Sequence, residues 1–214
     1  MLKNIFLLIV SVILGSLIII GGFLWISPRN TQVIKIILPK SLFSIETAPT
    51  NSLVGEIASL SGKVAWQSRV APVALLINST VKLQQGEEID TYNNGSANIN
   101  FPTFGTIFLS PNTQVNFIQT LPENFVVNQK QGTAIYTKTG ENPSSVIALD
   151  LLININSGES KILVDKDTAK ITITVETGSL TVAFNDTDNN TNVITLNSGD
   201  EYIFNDNTRL GVIK

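Results

Sequence analysis

The chain has 214 residues, a net charge of −3 and 14% charged residues, with no histidine and no cysteine. This composition removes the usual general bases, thiol nucleophiles and zinc ligands, and it leaves no basic field to attract nucleic acid. The expectation is a non-catalytic binding protein with no catalytic residues, no metal site and no cofactor.

Ile5 to Ile26 is an unbroken uncharged run, IFLLIVSVILGSLIIIGGFLWI. As a helix its 22 residues would span about 33 Å, roughly one hydrocarbon core. It is longer than a secretory apolar core and has no small-x-small site at its end, so it predicts a retained transmembrane signal-anchor behind a short tail, residues 1–4. Trp25 suits the membrane–water boundary. Lys3 precedes the run and Arg29, Lys35 and Lys40 follow it. That balance leans slightly towards a cytoplasmic C-terminus, but long C-terminal domains translocate largely regardless of it.

Residues 27–52 read as a juxtamembrane linker. Its VIKIILPKSLFSI stretch is broken for helix by Pro39. It either lies against headgroups or the domain's own surface, or it supplies a second partner-binding strand. Ala48 to Ser52 reads as a hinge into the folded part.

Residues 53–214 show a hydrophobic period of two. Ala97, Ile99 and Phe101 alternate, as do Ile107 and Leu109, then Val115 and Phe117. Ile171, Ile173 and Val175 alternate, and Leu180, Val182 and Phe184 follow on the opposite parity. A phrase of apolar residue, polar residues, glycine and strand recurs as LSGKV, LQQGEEI, VNQKQGTAI, INSGESKI, VETGSL and LNSGDEYI. Each glycine is read as the positive-φ position of a turn or bulge, with Thr177-Gly178 and Ser198-Gly199 as turns. The predicted fold is all-β: many short antiparallel strands in a β-sandwich or a short solenoid-like stack, preceded by the one transmembrane helix.

Adjacent carboxylates occur at Glu87-Glu88 and Asp200-Glu201. Neighbouring strand residues point to opposite faces, so each pair is expected to send its carboxylates mostly into solvent. Asp186 to Asn190 places oxygen ligands at alternate positions, but Thr191 and Asn197 replace the glycine and the acidic residue of a calcium loop; a hairpin loop explains it without metal. Among the clustered aromatics, Phe101 and Phe117 fit the buried parity. Phe108 either fills the second face of a two-sided sheet, or joins Phe104 as an exposed partner-binding patch.

From GEIASLSGKVAW through VKLQQGEEIDTYNNGSANINFPTFGTIFLSPNTQVNF to VETGSLTV and LNSGDEYIF, the chain resembles the FecR domain family. The matching positions include Leu83, Gly86, Ile89, Thr91, Ala97, Phe101, Gly105 and Leu109. Tyr92 replaces a glycine of the family's pattern, and the later glycine-threonine pair is blurred at Ser157-Gly158-Glu159. The resemblance implies an extracytoplasmic β-domain on a single membrane anchor, with another envelope protein as partner. It implies a place in the bacterial cell membrane with the C-terminal domain on the periplasmic or cell-surface side. The sigma-factor-binding segment of the best-known members has no counterpart in Met1 to Asn4. An envelope glycan- or lipid-binding domain is the alternative reading.

Overall fold

A computed structural model describes residues 46–214. The tail 1–4, the transmembrane helix expected over 5–26 and the linker as far as residue 45 lie outside the described residues. Within them there is no helix. Fifteen strands form one continuously paired system: β1 (Gly55–Ser61), β2 (Val64–Gln67), β3 (Leu75–Ile77), β4 (Lys82–Leu83), β5 (Glu88–Thr91), β6 (Ser96–Phe101), β7 (Gly105–Leu109) and β8 (Thr113–Leu121). There follow β9 (Asn124–Lys138), β10 (Ser144–Ala148), β11 (Leu151–Asp165), β12 (Lys170–Asn185), β13 (Thr191–Asn197), β14 (Glu201–Asn205) and β15 (Leu210–Ile213).

The pairings divide this system into two layers. One holds β4, β1, β6, β7, the second half of β9, the second half of β11, the first half of β12, β14 and β15. The other holds β3, β2, β5, β8, the first half of β9, β10, the first half of β11, the second half of β12 and β13. Aromatic contacts join them face to face. Phe101 of β6 lies 5.1 Å from Phe117 of β8 and 5.0 Å from Phe125 of β9, and Phe184 of β12 lies 4.7 Å from Phe204 of β14. Every side chain named above as alternating is buried in this core. The all-β expectation therefore stands, with two corrections.

The first concerns strand length. β9, β11 and β12 run for 15, 15 and 16 residues, far beyond the usual five or six. Of the glycines read as turn or bulge positions, Gly132, Gly158 and Gly178, the last expected at a turn, lie inside these strands at φ +84°, +80° and +79°. Asn156 of β11 and Glu176 of β12 are each skipped in the pairing, as is Lys130 of β9. One extra residue reverses which parity faces the core. Buried Ile171, Ile173 and Val175 therefore give way to Leu180, Val182 and Phe184 within one strand. A hairpin turn and a bulge both call for positive φ, so the local sequence does not separate them.

The second concerns direction. β9 and β10 pair in parallel, Ser144 beside Phe125 and Val146 beside Val127. The bend in β9 brings its end back towards its start: Thr139 and Gly140 donate their N–H groups to the Phe104 carbonyl, and Phe104 stacks on Phe125. The segment up to Pro143 then crosses between layers, where the Pro143 carbonyl accepts the Phe125 N–H. β10 thus starts beside the start of β9.

Candidate interaction surfaces

The two phenylalanines expected to share a partner-binding patch point in opposite directions. Phe104 sits in the turn between β6 and β7, where Thr103 and Gly105 take positive φ. That backbone turns the ring inward. It is 2% exposed and stacks on Phe125 with centroids 4.6 Å apart and planes 14° from parallel. Phe108 stands on the outer face of its layer, 40% exposed, between Asn98 and Ile135 in the pairing. The pair forms no common surface, because the parity of β7 buries Ile107 and Leu109 and sends Phe108 outward while the preceding turn carries Phe104 into the core.

Glu87 and Glu88 correct the expectation of solvated carboxylates, since both are buried. They do point apart, as alternation demands. Glu87 accepts hydrogen bonds from the Trp66 indole at 3.0 Å and the Gln84 backbone N–H at 2.9 Å. Glu88 faces outward across β8 and β9, held by Lys130 at 2.5 Å and by the amides of Gln114 and Asn116 at 2.5 and 3.4 Å. Lys130 reaches it from the bulge of β9. Asp90 shares this face, where burial and then the Glu88 charge raise its pKa above the ordinary carboxylate value. Gln67, Glu88, Asn116 and Asn128 are cross-strand neighbours in one polar row. Its one carboxylate, Glu88, is held by Lys130, Gln114 and Asn116, which suits a rigid face better than proton transfer.

The Asp186 carboxylate is spent on its own loop. It accepts the backbone N–H groups of Asp188 and Asn190, each at 2.9 Å, and the Asn192 amide at 3.2 Å. These bonds, led by the one from Asn190 N–H, hold its pKa below the ordinary value. Asp200 accepts the Asn197 N–H at 2.8 Å, and Glu201 pairs with Lys214 at 3.1 Å. A cleft of about 310 Å³ lies where the β9 bend meets the β11–β12 turn, lined by residues including Asn112, Gln131, Leu163 and Lys166.

Three features were missed in the sequence. Lys138 is buried, its ammonium donating to the Ile155 carbonyl at 2.9 Å, and burial lowers its pKa. The alternation Ala134, Tyr136, Lys138 could have placed it inside, as all three are buried. The other two are exposed apolar edges. At one side of the sandwich, β15 carries Leu210, Val212 and Ile213 and β13 carries Val193, all exposed. Among the described residues each of these strands is paired on one flank only. At the other side, the β2–β3 hairpin exposes Val70, Val73, Leu75 and Leu76. An edge differs from a central strand only in having no neighbour beyond it, and the sequence of a strand does not carry that information.

No family model matches the chain. No curated protein matches it either. Two crystal structures of a candidate anti-sigma factor from Parabacteroides distasonis ATCC 8503 share its fold. They align with TM-score 0.50 at 17% and 16% identity, each covering 59% of this chain. The match spans 58% of the length of the other protein, and the likeness is one of fold.

Proposed function

We propose that the chain is a membrane-anchored, non-catalytic sensing or interaction module of the FecR type, whose β-domain stands outside the cytoplasm and binds another envelope protein. The apolar run Ile5 to Ile26 supplies the anchor in this reading, and the order of FecR-like motifs supports the location of the domain. The fold likeness to a candidate anti-sigma factor supports a regulatory role over an enzymatic one. The observation that carries partner binding is the open edge at β13 and β15. Among the described residues β15 has a backbone flank with no partner strand, beside exposed Leu210, Val212 and Ile213. Such an edge receives a partner strand through main-chain hydrogen bonds, with apolar side chains adding selectivity.

The test is cross-linked co-purification from the native envelope, comparing the wild-type chain with a Leu210→Lys, Val212→Lys variant. Specific loss of one envelope protein from the variant, with thermal unfolding unchanged, is the expected result. Equal recovery from both would sink the edge as the binding surface. A C-terminal reporter active only outside the cytoplasm tests location; a silent reporter on a full-length product would sink that part.

The alternative, an envelope glycan binder, is favoured by the row of Gln67, Glu88, Asn116 and Asn128 on the outer face of one layer. Under that reading Asn116→Ala and Asn128→Ala would abolish glycan retention while the edge variant retained it.

A further inference from the structure

The β2–β3 hairpin is unusual for a surface loop. From Val70 to Ile77 the chain reads VAPVALLI, eight residues with neither a charged nor a hydrogen-bonding side chain. Val70, Val73, Leu75 and Leu76 are 58%, 68%, 60% and 61% exposed. Single exposed apolar residues are ordinary on protein surfaces, but four within seven positions form a patch that water disfavours.

Its position narrows what covers it. The hairpin is tied to the N-terminal end of the domain through Gln85. The Arg69 guanidinium donates to the Gln85 backbone carbonyl. The Gln85 side-chain oxygen lies 3.4 Å from the Ser52 hydroxyl and accepts the Thr120 N–H at 3.3 Å. Leu53 in turn donates its N–H to the Thr120 carbonyl at 2.6 Å and accepts the Thr120 hydroxyl at 2.9 Å. The patch therefore lies at the end of the sandwich that holds Ser52 and Leu53, the first residues of the domain. The opposite end of the strands holds the β11–β12 turn and Asn112, beside the cleft.

Its chemistry narrows the occupant further. This patch is purely aliphatic. Such side chains gain from entering a hydrocarbon boundary without needing a complementary surface.

We propose that the β2–β3 hairpin is a lipid-contacting tip: Val70, Val73, Leu75 and Leu76 dip into the bilayer surface and orient the domain on its anchor. This rests on the anchored reading above. A shallow aliphatic insertion in addition to the anchor restricts the tilt of the domain, so that the β13–β15 edge is held away from the lipid.

The absence of cysteine makes the test direct, since any introduced cysteine is the sole labelling site. Val73→Cys, Leu76→Cys and Lys166→Cys forms of the full chain are labelled with an environment-sensitive fluorophore and reconstituted into phosphatidylcholine vesicles. Lys166 lies in the β11–β12 turn and serves as the distant reference. Emission at 73 and 76 should fall at least twofold with nitroxide-bearing lipid and hardly respond to iodide, with the reverse at 166. Iodide quenching without lipid quenching at 73 and 76 overturns the proposal, because the tip then faces water. Protection from both quenchers also overturns it, because the tip is then covered by protein. Flotation of the same vesicles separates the two readings. Protein that fails to float removes the anchor and the tip together; protein that floats with iodide-accessible labels removes the tip alone.

Discussion

Gly158 and Gly178 face each other in register across β11 and β12 at the point where both strands pass from one layer to the other. A Cβ on Gly178 would lie 2.2 Å from the Ser157 carbonyl oxygen, and one on Gly158 would lie 2.2 Å from that of Thr177. Neither atom can retreat without breaking the ladder. Both residues also need positive φ. The crossing thus depends on a pair of absent side chains.

Gly178→Ala should accordingly cost roughly 2–3 kcal/mol, combining left-handed strain with backbone overlap. Gly199 is the control. It has φ +94° with nothing within 4 Å of a built Cβ, so Gly199→Ala bears the strain alone. Urea unfolding of both variants checks this. Equal losses would mean that the crossing relaxes around the added methyl.

The two phenylalanines once paired as a surface should separate cleanly in stability. Phe104→Ala removes a ring stacked in the core and should cost about 3–5 kcal/mol. Phe108→Ser should cost under about 1 kcal/mol, since the ring is 40% exposed on an outer face. Chemical denaturation of each single variant measures both. A costly Phe108 would show that it anchors the outer face of its sheet.

Lys138 predicts an alkaline effect. Burial disfavours its charged form, so its folded pKa lies below 10.5. Between the folded and unfolded values the unfolded chain binds more protons, and stability should rise with pH through that window. Lys138→Met should flatten this rise and leave neutral-pH stability equal or higher, because an isolated buried ammonium is replaced by an apolar chain of similar length. Denaturation midpoints from pH 8 to 11 are the measurement. A large loss at neutral pH would show that the bond to the Ile155 carbonyl outweighs desolvation.

Asp186 predicts an effect of the opposite origin on the acid side. Its folded pKa is depressed below 3.8 by hydrogen bonds within its loop. Its contribution is therefore present above the unfolded value and is lost as pH falls through the folded one. Asp186→Asn should remove that part of the acid dependence while keeping the loop's outline. Tm profiles of the two proteins from pH 2 to 6 check it, with parallel profiles as the contrary outcome. Asp90, whose folded pKa is raised, acts in the reverse sense: acidification relieves its burial.

What could be read from the chain is what depends on near neighbours. The alternation of Ala97, Ile99 and Phe101, or of Leu180, Val182 and Phe184, is local, and each of these residues is inside. The missing histidine and cysteine likewise bound the chemistry before any fold is known. Glycine also marked the places where the backbone must take positive φ. Whether such a glycine ends a strand or bends it was decided by the neighbour: Gly178 lies within a continuous strand, between two bulges and in register with Gly158, some twenty residues away in sequence.

The same holds for the surfaces. Glu88 is buried because Lys130, Gln114 and Asn116 arrive from β8 and β9 to satisfy it. Phe104 is buried because the bend of β9 returns Phe125 to its side. Leu210 and Val212 are exposed on a strand that, among the described residues, pairs with β14 alone. Short-range periodicity sets which face of a strand is apolar; only the pairing of distant segments sets which polar groups find partners and which apolar strands are left at an edge.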